Sequence, residues 1–210
     1  MEAKAKPWLV LSLLMAANCM QYYCAHAEPV VACLFVFGDS LSDSGNNNNR
    51  ATLGRANFRP YGIDFPQGPT GRFTNGRTSV DFISEFLGFL KLIPPHADTS
   101  SSDVLKGVNY ASGGAGIRPD SGMIGGDNID LEKQVRNHSR CHVYASEKWI
   151  LFPCVANVSC CPSPCLANRT PCQNRSEYVF WDGLHPTEAA NRITAHRSYN
   201  DIMGLVHSSI

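Results

Sequence analysis

The hydrophobic pattern of residues 30 to 111 predicts two buried strands with a helix between them. The first strand is a continuous apolar, β-branched and aromatic run from Val30 to Phe37, as expected of a strand buried on both faces. The second strand covers Val104 to Ala111. Strand, helix and strand joined by long connections form the βαβ unit of a parallel sheet, so we expect an α/β fold.

The helix between these strands has a predicted start and end. Thr78-Ser79-Val80-Asp81 has the spacing of a capping box, and Pro94-Pro95 stops the helix. The apolar residues at helical period are Val80, Ile83, Phe86, Leu87 and Leu90. A second helix is predicted near the C-terminus, where Pro186 opens it as a first-turn proline and Glu188 lies close to its positive end.

Polar and irregular segments separate these elements. The first strand breaks at Gly38-Asp39-Ser40, and the tract that follows includes Asn46 to Asn49, a short low-complexity patch that predicts a surface loop. Pro60 to Arg77 is rich in Gly, Pro and Asn and is typical of an extended loop. Asn137 to Cys165 has no clear periodicity.

The N-terminus has the pattern of a secretory signal. Lys4 and Lys6 precede an apolar run from Trp8 to Ala17, which is shorter than the roughly 20 residues that span a bilayer. Ala25-His26-Ala27 matches the A-x-A cleavage pattern, so we expect a signal peptide over residues 1–27. A buried N-terminal helix is the alternative. We therefore expect a secreted protein, located in the apoplast or cell wall, with no membrane segment after cleavage.

Size and charge point to one exported domain. Residues 28–210 are enough for a single domain with a sizeable core. The 18 basic and 18 acidic residues balance, and no basic stripe is present, so nucleic acid is not expected as a partner. We expect a monomer.

The cysteines predict disulfides in an exported chain. Seven cysteines follow the signal segment, so one thiol is left over if the others pair. A zinc cluster is the alternative for Cys160 to Cys172, although no His-x-x-x-His pair lies nearby. The remaining surface signals are four glycosylation sequons, at Asn137, Asn157, Asn168 and Asn174.

Three groups of residues carry candidate chemistry. Ser40 lies where a buried strand breaks into a turn, and open α/β sheets bind ligands at that edge. The G-x-S-x-G elbow is absent, which disfavours an α/β-hydrolase. Asp182-Gly183-Leu184-His185 can bring a carboxylate to one ring nitrogen, leaving the other to take a proton from Ser40. The main-chain N–H groups of Ser40 and of Ser112-Gly113-Gly114 could stabilise an oxyanion.

Each group also has a purely structural interpretation. Most serines in a Gly-Asp-Ser turn cap helices, His185 could cap the helix that follows it, and Asp182 could close an Asx turn. A glycine-rich turn after a strand is common.

Four sequence blocks, in order, resemble the plant GDSL esterase/lipases of the SGNH hydrolase superfamily. The first is Phe37-Gly38-Asp39-Ser40-Leu41-Ser42-Asp43-Ser44-Gly45-Asn46-Asn47, and the loop Pro66 to Arg77 with Thr70-Gly71-Arg72-Phe73 follows it. Gly107-Val108-Asn109-Tyr110-Ala111-Ser112-Gly113-Gly114 is similar to the second block, and Phe180-Trp181-Asp182-x-x-His185-Pro186 to the last. The resemblance covers roughly residues 30 to 131 and 160 to 200.

This resemblance implies both a fold and a reaction. The fold would be a flavodoxin-like three-layer α/β/α domain. The activity would be hydrolysis of carboxylic esters of lipid or small-molecule substrates, with no metal or organic cofactor. Ser40 would be the nucleophile, His185 the base, Asp182 its orienting acid and Gly113 the oxyanion glycine.

The chain departs from the family in its middle. The family's Gly-x-Asn-Asp block, whose Asn donates to the oxyanion, is not found, and Asn128 is not assigned to that role because its surroundings resemble a different stretch. A central portion with further strands is missing by comparison, so the predicted fold is incomplete. The alternative function is therefore a catalytically impaired, non-enzymatic secreted glycoprotein.

Overall fold

The computed structural model of the chain describes residues 29–100, 104–139, 159–162 and 165–208, together with Ser12 and Met15. Its helices are α1 (Ser79–Phe86), α2 (Leu131–Ser139) and α3 (Glu188–Ser208). Single 3₁₀ turns cover His96–Asp98, Met123–Gly125 and Arg175–Glu177. The predicted signal segment, apart from Ser12 and Met15, lies outside the described residues, as do Cys141, Cys154 and the sequon at Asn157. Within the described residues, every helix is too short or too polar to cross a bilayer.

Three extended segments lie side by side and run parallel. Asn109 forms parallel bridges to Val36 on one side and to Pro95 on the other. The Val36 N–H donates to Val108 O at 3.0 Å, and the Tyr110 N–H donates to Val36 O at 2.7 Å. In the described part of the chain these remain isolated bridges and no continuous strand forms, so the three-layer α/β/α arrangement stays a prediction.

The first segment is less buried than its sequence predicts. Among residues 30–37 only Val36 is buried, and Val30 is 45% exposed. The expectation of a strand buried on both faces is therefore wrong for these residues within the described part of the chain.

Helix α1 begins as predicted and ends earlier. Thr78 and Asp81 form the capping box, with each side chain accepting from the other's backbone N–H. The helix stops at Phe86 because Gly88 takes a φ of 89°, the left-handed conformation that closes helices. Leu90, which the pattern had placed on the helix, is 81% exposed.

Helix α3 packs against α1 and starts later than the proline suggested. The Phe86 ring lies 5.8 Å from the His196 ring and 5.7 Å from the Tyr199 ring, measured between centroids. Glu188 is in the first turn as expected, but Pro186 precedes the helix, and the Thr187 hydroxyl accepts the Ala190 N–H. Helix α2 was not predicted; the Asp130 carboxylate accepts the Lys133 N–H at its start.

A hydrophobic cluster around Trp181 packs residues of the C-terminal segment against residues 56–73. Its buried members are Ala56, Tyr61, Phe73, Cys160, Cys161, Cys165 and Trp181. Two disulfides, Cys160–Cys172 and Cys161–Cys165, border this cluster. These four cysteines are therefore disulfide-bonded, as first interpreted, and the zinc alternative is wrong, whereas Cys33 has a free thiol.

Candidate functional site

The structure brings Ser40, His185 and Asp182 into one hydrogen-bonded chain. Ser40 Oγ lies 2.9 Å from His185 Nε2, across 145 positions of sequence. His185 Nδ1 lies 2.9 Å from Asp182 Oδ1 and 2.8 Å from Asp182 Oδ2. His185 and Asp182 are buried, and Ser40 is half-buried. A hydroxyl, an imidazole and a carboxylate thus stand in the order that acyl transfer requires.

A tight turn holds the acid and the base together. Asp182 Oδ1 accepts the N–H groups of Leu184 and His185, each at 2.9 Å, and the Trp181 N–H donates to His185 O at 2.7 Å. The Asx turn that served as the structural alternative is therefore present. It does not compete with the chemistry, because the same carboxylate also reaches the His185 ring.

The electrostatics of the turn keep Asp182 ionised. Burial raises the pKa of Asp182, but its hydrogen bond with His185, the attraction of His185 and the donors Leu184 and Tyr61 outweigh that effect, so the pKa lies below its usual range. An ionised carboxylate only accepts hydrogen bonds, so Nδ1 carries the proton of neutral His185. The lone pair of Nε2 then faces Ser40 Oγ.

The turn that carries Ser40 is fixed by a buried amide from α2. Gln134 is fully buried; its Oε1 accepts the Gly38 N–H at 3.0 Å and its Nε2 donates to Gly38 O at 2.8 Å. The same carbonyl accepts the Ser112 N–H at 3.1 Å. The backbone two residues before the nucleophile is therefore held on both sides.

Gly113, the predicted oxyanion glycine, uses its main-chain N–H in a contact within the fold. Its N–H donates to Asp43 Oδ2 at 2.8 Å, so that donor is used within the fold. A Cβ on Gly113 would lie 2.6 Å from the Phe73 ring and 2.8 Å from the Asn47 amide. Glycine is required here by close packing, and the Ser40 N–H is left as the candidate main-chain donor beside the nucleophile.

The expectation that the asparagine-rich tract forms a surface loop is wrong for its first two residues, whereas Asn49 is exposed as predicted. Asn46 and Asn47 are 3% and 1% exposed. The Asn46 amide donates to Asn109 O and Ala111 O, and the Asn47 amide donates to Gly113 O. These side chains satisfy carbonyls of the second extended segment, which explains why polar residues are buried there. The Asn128 amide likewise donates to Gly114 O and Ser121 O, in keeping with its not being assigned as an oxyanion donor.

Tyr61 and Phe73 are site residues that sequence patterns alone do not reveal. The Tyr61 hydroxyl donates to Asp182 Oδ2 at 2.7 Å, and the Phe73 ring lies 5.0 Å from the His185 ring. Both lie in the glycine-rich segment that was interpreted as an extended loop. The only sequence signal of Tyr61 is an aromatic residue within a polar stretch, whereas Phe73 also belongs to the Thr70-Gly71-Arg72-Phe73 motif of the family resemblance.

Among the described residues, the site lacks a set of side chains that could bind a metal ion. In that part of the chain no three His, Cys, Asp or Glu side chains converge as a set of metal ligands. The groups that are present can transfer a proton, attack a carbonyl and stabilise an imidazolium.

Comparison with known proteins identifies a family. The model of the GDSL-like Lipase/Acylhydrolase family matches residues 34–157. The chain is 50% identical over 130 residues to GDSL esterase/lipase At4g18970 of Arabidopsis thaliana, covering 62% of this chain and 35% of that protein. It is 49% identical over 131 residues to GDSL esterase/lipase At2g19010 of the same plant, covering 62% of this chain and 37% of that protein.

These similarities extend over only part of each relative. The chain spans about a third of the length of the curated relatives it matches. No solved structure matches the chain.

Proposed function

Because the chain belongs to the GDSL-like lipase/acylhydrolase family, we propose that it is a serine hydrolase that cleaves carboxylic esters. Ser40 is the nucleophile, His185 the general base and Asp182 the acid that orients it. The observation that carries the proposal is the continuous hydrogen-bonded chain from Ser40 Oγ through both ring nitrogens of His185 to Asp182.

The reaction proceeds in two halves. His185 Nε2 takes the Ser40 proton as Oγ bonds to the ester carbonyl carbon, and the imidazolium then gives that proton to the departing alcohol. Water, deprotonated by the same nitrogen, attacks the acyl-serine, and the imidazolium returns that proton to Ser40 Oγ as the acyl C–Oγ bond breaks and the carboxylic acid leaves. Asp182 stays ionised throughout and stabilises the imidazolium.

The oxyanion is stabilised first by the Ser40 N–H. Gly113, whose N–H is bonded to Asp43, contributes only if that bond opens when substrate binds. Losing one oxyanion donor costs about 10²–10³ in kcat, so we expect slow but measurable turnover.

Exposed leucines beside the reacting residues favour an ester with an apolar acyl group. Leu41, which follows the nucleophile, is 49% exposed, and Leu184, which precedes the base, is 78% exposed. Two disulfides within the described residues support an exported protein, since such bonds persist in oxidising compartments. We propose a secreted enzyme that acts on lipid or small acyl esters.

The test is labelling with a fluorophosphonate together with turnover of p-nitrophenyl butyrate. We expect wild type to be labelled and active, and Ser40→Ala to be neither. Ser42→Ala is the matched control, because it removes a hydroxyl from the same turn without touching His185. Equal labelling of wild type and Ser40→Ala overturns the proposal and favours a non-catalytic secreted glycoprotein.

A further inference from the structure

Tyr61 completes the hydrogen bonding of the Asp182 carboxylate from a distant part of the chain. Its hydroxyl donates to Oδ2 at 2.7 Å, and 121 positions separate the two residues. Oδ1 is occupied by the main-chain N–H groups of the turn, those of Leu184 and His185. Apart from the His185 ring, Tyr61 is thus the only side-chain donor to this carboxylate among the described residues.

The position of the Tyr61 hydroxyl is fixed by packing on several sides. The ring is 6% exposed, and it meets Phe58, Phe73 and Trp181 at centroid distances of 5.4, 6.0 and 6.4 Å. The next residue is anchored as well, since the Gly62 N–H donates to Thr74 O at 2.9 Å. A phenol held in this way defines where Oδ2 must lie.

The chemistry of Tyr61 suits a permanent donor. Burial, followed by the charge of Asp182 and the hydrogen bond to it, raises the pKa of the phenol above its usual range, so the hydroxyl is protonated at neutral pH. The hydroxyl therefore donates to Asp182 and never competes with it for a proton.

We propose that Tyr61 is a positioning residue that fixes the Asp182 carboxylate so that His185 presents Nε2 to Ser40. The inference rests on the proposed ester hydrolysis. Without the hydroxyl, Oδ2 loses its only fixed partner besides the ring, and the carboxylate is held at Oδ1 alone by the main chain, so it can turn further about its Cβ–Cγ bond. The His185 ring then loses its constant orientation, which slows the chemical step and leaves substrate binding unchanged.

The test compares Tyr61→Phe with Tyr178→Phe. The first change removes the hydroxyl and keeps the ring in the cluster. The second removes a hydroxyl from a tyrosine that packs on the same cluster and makes no hydrogen bond to Asp182. For p-nitrophenyl butyrate we expect kcat of Tyr61→Phe to fall roughly tenfold with KM unchanged, and Tyr178→Phe to match wild type.

A second readout does not depend on turnover. The downfield proton resonance of His185 Nδ1–H reports its hydrogen bond to Asp182, and we expect it to shift or broaden in Tyr61→Phe only. Fluorotyrosine is a stronger hydrogen-bond donor than tyrosine and has nearly the same shape. The same resonance, measured in the unmutated chain labelled with fluorotyrosine, should therefore shift as well. An unchanged resonance and kcat in Tyr61→Phe overturn the inference. Inactive wild type with a resonance that responds to Tyr61 overturns the proposed function alone.

Discussion

The main-chain N–H of Gly113 donates to the carboxylate of Asp43, and this hydrogen bond joins two turns that lie 70 positions apart. Asp43 lies three residues after Ser40, and its other oxygen accepts the N–H groups of Gly45 and Asn46 at 2.8 Å each. This fully buried carboxylate therefore helps to fix the distance between the turn that carries Ser40 and the glycine-rich turn, together with the bonds from Ser112 to Gly38 and from Asn47 to Gly113.

Asp43 makes the stability of the fold depend on pH. Burial raises its pKa to about 6 from 3.8, against the lowering effect of the N–H groups that it accepts. As pH rises from about 4 to about 6, the unfolded chain releases this proton and the folded chain retains it. The free energy of unfolding therefore falls over that window, by about 3 kcal/mol for this group, and the loss is complete above it.

The measurement is the free energy of unfolding of wild type and Asp43→Asn by urea denaturation between pH 4 and pH 7. The amide of Asp43→Asn has one acceptor fewer at every pH, so its free energy of unfolding is shifted by an amount that does not depend on pH. The pH-dependent difference isolates Asp43, because all other carboxylates are common to both proteins. Parallel curves would contradict the prediction.

Gly113→Ala should damage the site through Phe73. The added Cβ would lie 2.6 Å from the Phe73 ring, which itself contacts His185, so the ring must move. We expect a loss of about 1–3 kcal/mol in the free energy of unfolding, together with lower kcat. Gly125→Ala is the control, since its Cβ would meet nothing within 4 Å. Equal stability and activity of the two variants would refute this account.

Asp182→Asn should nearly abolish turnover with little change in shape. The amide oxygen can still accept the N–H groups of Leu184 and His185, but its NH₂ group donates toward Nδ1 and favours the tautomer with the proton on Nε2. That tautomer cannot accept the Ser40 proton, so we expect kcat to fall roughly 10⁴-fold. Esterase kinetics check the prediction, with Asp120→Asn on the surface as control. A loss below tenfold would exclude Asp182 from the proposed role.

Arg72→Ala should be among the most destabilising changes. Arg72 Nε and Nη2 donate to the Asp81 carboxylate at 2.7 and 2.8 Å, and the two side chains are 7% and 3% exposed. Removing the cation leaves Asp81 buried and unpaired, which costs about 3–5 kcal/mol. Arg118→Ala breaks an exposed pair with Asp120 and should leave the denaturation midpoint unchanged. Similar denaturation midpoints for both variants would show that the buried ion pair contributes no more to stability than the exposed one.

Local sequence signals predicted the residues that act within one turn or one helix start. Thr78 and Asp81 form the capping box that their spacing indicates. The i, i+3 spacing of Asp182 and His185 likewise predicted that the carboxylate reaches the ring. Both pairs are defined by a few consecutive residues, so pattern and chemistry suffice.

Contacts between distant segments were not predictable in this way. The burial of Asn46 and Asn47 depends on carbonyls more than 60 positions away, and nothing in a run of asparagines indicates those partners. The bond between Tyr61 and Asp182 and the occupied N–H of Gly113 are also long-range. Such contacts depend on how distant segments pack together, and the periodicity of hydrophobic residues does not specify that packing.

The unequal spacing of the three reacting residues has a consequence for how the site fails. Asp182 and His185 lie on one short turn, so their distance is kept as long as that turn is intact, whereas the distance from Ser40 Oγ to His185 Nε2 depends on packing between distant segments. Mild loosening therefore separates the nucleophile from an acid–base pair that is still assembled. On heating, activity should be lost before helix content falls, and it should return on cooling. The contact between Ser40 and His185 is then lost while the turn that holds His185 and Asp182 stays formed.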